Sequence, residues 1–368
     1  MIHANGLHAS NALKICKLRS GLLAALLAAC TALYSNRTEA VGLHQIAIVP
    51  GADLVGTIDI KELSKAAIFN AVPGQKSHAL SRSVAARSAR IKLATGLTSQ
   101  DITSVLFSCQ TPTIKFNAPT PRQKVSAMHA MLAVELAKPV SIAQIRQAIK
   151  LEYGSEELAG VDNITINGYP ALTIKAPSQK NPDIFAAMTP NNRVLLVALN
   201  TGSLSSALKR AKAGKAVREP QQLARLRKSM PPRSQVKIAA IVPDQVRNMI
   251  NIQSRIMMQQ AKQKPQMAGS AGVVKLFANI QTISVGILIK DDILLTVAGD
   301  LASRAAANQA GSLIKTMLIP IMQAAMDKQS KSHSQLNLAK QIKIRSSSND
   351  LFMQIRIPQN QLFPQSKR

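Results

Sequence analysis

One order of secondary-structure signals runs along this chain twice, and that recurrence leaves few folds open. In the first pass, residues 54–60 end in alternation, Ile58 and Ile60 against Thr57 and Asp59, which predicts a strand. Two helical stretches follow near 61–72 and 79–95. Thr98-Ser99-Gln100-Asp101 then reads as a turn or capping box before a strand over 102–109. Another apolar strand covers 128–137 and a helix 140–151. Strands over 163–166 and 169–175 close the series around Asn167-Gly168, the strongest short hairpin signal.

The second pass opens with a strand over 236–242. Pro243 starts a helix whose Val246, Met249, Ile250, Ile256 and Met257 fall on one face. A further helix is expected near 271–280. Ile283, Val285, Ile287 and Ile289 then alternate with Thr282, Ser284 and Gly286, and a turn at Asp291-Asp292 returns the chain as a strand over 293–298. Asp300 is the expected N-cap of a helix to about Met326, kinked by Pro320, before strands over 341–346 and 350–357.

Both passes read β-α-α-β-β-α-β-β. The strand centres keep step: Ile58 and Val105 lie 47 residues apart, Ala239 and Val285 lie 46 apart. The first copy carries an extra hairpin, 183–188 and 193–199, and a helix over 203–213, an addition that would extend its sheet. Strands joined mostly by hairpins favour antiparallel sheets. The expected fold class is α+β, with two similar domains, each a mostly antiparallel sheet covered by helices on one face. The first domain is placed at 44–213 and the second at 234–368, with the Pro-containing basic segment 214–233 as a linker.

The N-terminus carries the sharpest motif. Lys14, Lys17 and Arg19 precede an apolar run from about residue 21 to Leu33. That run is too short to span a bilayer comfortably, which takes about 20 residues, and has the form of an export signal. It ends in Leu27-Ala28-Ala29-Cys30, which resembles the lipobox of bacterial lipoproteins. The resemblance covers this segment alone. It implies a signal peptide over 1–29, a lipid-modified Cys30 as the new N-terminus, and residues 30–43 as a tether. The alternative is ordinary cleavage after Ala40, where Thr38-x-Ala40 supplies small residues at the required spacing, giving a secreted protein. Either way the expected location is outside the cytoplasm: a periplasmic or outer-membrane-associated lipoprotein in the first case.

Export disposes of most of the cysteine chemistry. Cys16 lies in the signal and Cys30 is modified or removed, so Cys109 is alone in the mature body and reads as a small buried hydrophobe. G-x-S-x-G, H-E-x-x-H, a Walker loop, a dinucleotide-binding glycine motif and C-x-x-C are all missing from the sequence. His44, His78, His129 and His333 are far apart without i,i+4 partners, which gives no metal-ligand spacing. No catalytic residue, metal ligand, cofactor or small-molecule substrate is assigned.

Charge is the remaining lead. The chain has 46 Lys plus Arg against 18 Asp plus Glu; residues 1–29 hold only three of these, all basic, so the mature chain keeps +25. The charge is concentrated in Lys209, Arg210, Lys212, Lys215, Arg218, Arg225, Arg227, Lys228 and Arg233, the candidate anion-binding residues, with Glu219 alone opposing them. An acid-free stretch over 76–92 adds Lys76, Arg82, Arg87, Arg90 and Lys92. Such a field attracts polyanions. Aromatic content of 3% and the absence of Trp argue against base-stacking platforms, and no sequence-specific nucleic-acid motif is present. The expected partners are therefore a membrane, through the lipid anchor, and an anionic envelope polymer or a protein. The reading is a non-enzymatic, lipid-anchored envelope protein. Two alternatives stand beside it: an exported enzyme with a scattered active site, and a lipid or glycolipid carrier using the Met-rich helices of the second half.

Overall fold

The Asn167-Gly168 turn folds as its residues require. φ is 53° at Asn167 and 79° at Gly168, the two left-handed positions of a type I′ hairpin. It pairs Val161–Ile166 with Tyr169–Ile174, antiparallel from Ile166↔Tyr169 to Val161↔Ile174. This hairpin belongs to a computed structural model that describes residues 46–65, 88–110, 129–153, 160–176, 182–214, 217–263, 274, 278–320, 323 and 341–358. The signal, the lipobox and the tether over 30–43 lie outside the described residues. The chain divides into two compact units: Met1–Pro50, Ile58–Lys65 and Pro73–Val217 form one; Gly51–Thr57, Ala66–Val72 and Arg218–Arg368 form the other.

Strand β1 (Leu54–Asp59) crosses that division, and a short helix α1 (Ile60–Ser64) follows it, its first turn held by the Asp59 carboxylate accepting from the Glu62 N–H. The first unit's other strands are β2 (Ile102–Gln110), β3 (His129–Leu136), β4 (Val161–Ile166), β5 (Tyr169–Ile174), β6 (Ile184–Met188) and β7 (Val194–Ala198). They lie in the order β2-β3-β7-β6-β5-β4, each neighbour antiparallel. The extra hairpin β6–β7 does not extend the sheet at its edge; it is inserted between β3 and β5.

All five residues of β7, Val-Leu-Leu-Val-Ala, are buried, so this strand is covered on both sides. Val134 and Leu195 pack into a cluster with Val105, Leu136 and Met188 that also takes Ile142 and Ile145 of helix α2 (Ile142–Tyr153). On the other side, where Ala133 and Leu196 point, helix α3 (Thr201–Ala213) buries Leu204, Ala207 and Leu208 completely.

The second unit repeats the arrangement. Its strands β8 (Val236–Ile241), β9 (Ile280–Ile289), β10 (Asp292–Leu301), β11 (Ile342–Ser347) and β12 (Asp350–Pro358) follow the order β8-β9-β10-β12-β11. Removing β6–β7 from the first unit leaves β2-β3-β5-β4, the same order as β9-β10-β12-β11. Each path leaves its second strand by a helix and returns as a hairpin laid down in reverse. The α+β class with antiparallel pairing is therefore observed.

One finer expectation is corrected. Within each unit helices lie on both faces of the strands, not on one. In the second unit, α4 (Gln221–Ser229) and the residue after it place Leu226 and Met230 against Ala298 and Phe352. Helix α6 (Arg304–Leu313) places Ala307 and Ala310 against Leu351. Leu351 and Phe352 are consecutive on a strand and point to opposite sides.

Two other expectations also give way. Segment 214–233, read as a linker, contains α4, whose Leu223 and Leu226 are wholly buried against β8, β9 and β10. Asp300 is not a helix cap; it lies within β10, one residue before the strand's end at Leu301, and Ser303 caps α6 by accepting from the Ala306 N–H. The helix expected near 271–280 lies mostly outside the described residues, and Ile280 begins β9.

Candidate anion-binding face

Helix α4 sits on a floor of small side chains. Thr282, Ser284, Gly286, Thr296 and Ala298 project toward it from β9 and β10 and are all buried. A Cβ on Gly286 would lie 2.9 Å from the Met230 sulfur and 3.1 Å from its Cβ, so the bare glycine is what lets Met230 settle onto the strand. Gln235 fixes the chain beyond the helix: its Nε2 donates to the Ile289 carbonyl at 3.0 Å and its Oε1 accepts from the Ile289 N–H at 2.7 Å. The end of the basic segment is thereby held beside the strand end that carries Lys290.

Docking decides the fate of the sequence-predicted cations. Arg227 is consumed by a partly buried ion pair, with Nη2 donating to Glu219 Oε2 at 2.8 Å and Nε lying 2.8 Å from Oε1. Arg225 bridges two carboxylates, Asp300 at 2.8 Å and Asp350 at 3.2 Å. Burial pushes the Asp350 carboxyl up; Arg225 opposes this and Asp300 adds to it, and the net shift is upward. Arg210 belongs to the first unit and works as a clamp. Its Nη2 donates to the carbonyls of Ile46 at 2.8 Å and Ile48 at 3.3 Å, with Nε also 3.2 Å from the Ile46 oxygen. The segment it holds is bonded again through Ser108, which donates to the Ala47 carbonyl at 2.8 Å and accepts from the Val49 N–H at 2.9 Å.

Arg210, Arg225 and Arg227 thus drop out as free anion ligands, and Lys215 lies outside the described residues. Lys209 and Lys212 are exposed on the first unit; Arg218, Lys228 and Arg233 are exposed on the second. Of the stretch 76–92, Arg90 pairs with Glu152 at 2.9 Å and Lys92 is exposed, while Lys76, Arg82 and Arg87 are outside the described residues.

The structure adds cations that sequence reasoning passed over. Register places Lys343 opposite Gln354 and Arg345 opposite Phe352, on the side of the sheet that carries α4. Arg345 stacks over the Phe352 ring at 4.8 Å from its centroid. Further along the same side an open groove of about 620 Å³ has Leu288, Leu294 and Gln354 as its floor and Lys290, Lys343, Arg356 and Gln341 along its rim. Asp291 and Asp292 also line it, and Asp292 takes up Arg356 at 2.5 Å. Lys290 and Lys343 are exposed and have no acidic partner among the described residues. An alternation in the sequence could have found part of this: Lys343 and Arg345 interleave with Ile342 and Ile344 on one strand.

A hydrolase reading has one point of contact with the structure. His129 Nδ1 lies 3.0 Å from Ser203 Oγ at the start of α3. The Asn200 amide nitrogen is 3.5 Å from the same ring nitrogen, and no carboxylate among the described residues orients Nε2. Asn200 also caps the helix by accepting from the Ser203 N–H. This is capping geometry, without the third group that activates a nucleophile. Among the described residues no set of three His, Cys, Asp or Glu converges as a metal site, and Cys109 is half-buried and not part of a disulfide. Among the described residues no helix is long and apolar enough to cross a membrane. Set against known protein families, curated proteins and solved structures, the chain matches none of them.

Proposed function

We propose that this chain is an exported, lipid-anchored envelope protein that binds an anionic polymer through the α4 side of its second unit. The observation that carries this reading is the grouping of exposed cations on that side. Lys228 and Arg233 come from α4 and its exit, Lys290 from the β9–β10 turn, and Lys343 and Arg345 from β11. Their nearest competitors, Arg225, Arg227 and Arg356, are already matched to acids. A row of flexible ammonium and guanidinium groups along an open groove suits repeating phosphates or carboxylates. Cys30 would keep this face at a membrane surface, with residues 31–43 as tether.

The test is charge reversal at equal net charge. Lys290→Glu with Lys343→Glu is compared with Arg304→Glu with Lys315→Glu, exposed positions on and just after α6, which packs on the opposite side of the same sheet. With inorganic polyphosphate as probe and fluorescence anisotropy as readout, the first pair should weaken binding by about tenfold and the second by about twofold or less at low salt. Equal losses in the two variants would mean that the charge acts without a defined face.

A further inference from the structure

Helix α5 (Asp244–Gln263) has two apolar sides. Ser254 is buried, and Val246, Ile250 and Met257 on the same side are partly buried, which fixes how the helix is turned. About a third of a turn round the helix from these, Met249, Ile252 and Ile256, spaced i, i+3 and i+7, stand 48%, 59% and 49% exposed, so the one face expected from the sequence is split into a covered and an exposed part. These three are among the most exposed large apolar side chains in the described residues. The helix carries one acid, Asp244, already bonded to Arg247. From 245 to 290 the sequence has no acid at all and six basic residues, of which Arg255 and Lys262 are exposed on α5 itself.

We infer that α5 lies in the surface of an anionic phospholipid bilayer, with Met249, Ile252 and Ile256 in the acyl boundary and Arg255 and Lys262 among the headgroups. Charge complementarity selects this occupant: a helix flanked by cations without acids is attracted to anionic lipid and gains from burying a three-residue stripe there. Met249 adds a flexible thioether that conforms to disordered acyl chains. The inference deepens the reading of a chain held at a membrane surface and supplies a second contact beside the lipid on Cys30. It is tested without that lipid, so failure of either leaves the other standing.

The protein contains no Trp, so a single introduced indole reports without background. The mature chain starting at residue 30, with Cys30→Ser and Ile252→Trp, is titrated with vesicles of phosphatidylcholine alone and of equimolar phosphatidylcholine and phosphatidylglycerol. Emission should move to the blue, and be quenched by brominated lipid, with the anionic vesicles only. In the Cys30→Ser background, Ile252→Gln with Ile256→Gln should lower partitioning into the anionic vesicles by about tenfold at moderate salt. Sedimentation with vesicles without an indole shift would overturn the inference, because binding would then be by charge elsewhere. So would undiminished partitioning of the Gln variant, or a blue shift already present without lipid, which would mark a protein contact.

Discussion

Replacing Leu226 by Ala tests whether the basic segment is a folded part of the second unit. Leu226 is 0% exposed and packs with Met230, Ala298 and Phe352. The substitution removes its isobutyl branch from the seam between α4 and the sheet. Lost transfer energy plus the cavity left behind gives about 3 kcal/mol. For a unit of this size each kcal/mol lowers Tm by about 2–4 °C, so a fall of about 6–12 °C is expected. Scanning calorimetry of the mature chain is the assay, since it separates transitions if the units melt independently. Leu93→Ala, at a site 78% exposed in the first unit, serves as control and should move Tm by less than about 2 °C. If Leu226→Ala also stayed within that margin, α4 would be the loose linker its composition suggests, and the face built on it would dissolve.

Three further expectations follow from single sites. Arg210→Met should destabilise the first unit by about 2–3 kcal/mol in urea titration, because it strands the Ile46 and Ile48 carbonyls. Burial alone would raise the Asp101 carboxyl, but bonds from the Thr98 N–H and hydroxyl at 2.7 Å, together with Lys138, bring it below the ordinary 3.8. A depressed carboxylate stabilises the fold above its unfolded value and loses that contribution as pH falls through its folded one. The stability gap between wild type and Asp101→Asn should therefore be full at pH 7 and shrink as pH drops below 3.8. Intact-mass analysis of the protein made with its own signal should show a diacyl or triacyl chain beginning at Cys30, lost in Cys30→Ser. A mass beginning at Val41 in both would make it a secreted protein.

The hairpins and the repeated order of elements were readable because turns and alternation are local. Asn167-Gly168 needs two left-handed residues, and the Ile283–Ile289 alternation needs only a period of two. What alternation does not say is which side is covered. Thr282, Ser284 and Thr296 are more deeply buried than Ile283, Val285 and Ile287, because α4 packs closely over small side chains. Helix α4 itself was hidden by its composition: two leucines at i and i+3 among three basic residues and a flanking proline read as a linker until the sheet is there to receive them. Asp300 and Ser303 are both competent caps. Arg225, 75 residues earlier, holds Asp300 in the strand and leaves the role to Ser303. The groove was out of reach for the same reason, since its rim comes from the β9–β10 turn, β11 and β12, which only long-range register brings together.

The claim that this face binds a polyanion is settled most directly by a salt series. Affinity of the mature chain for polyphosphate, plotted as log K against log salt concentration, should fall with a slope of about −3 to −4, the value for five released counterions on a flexible polyanion. Lys290→Glu with Lys343→Glu should make that slope shallower by about 1.4. A flat line for the wild type, or an unchanged slope in the variant, would contradict the assignment of function to these residues.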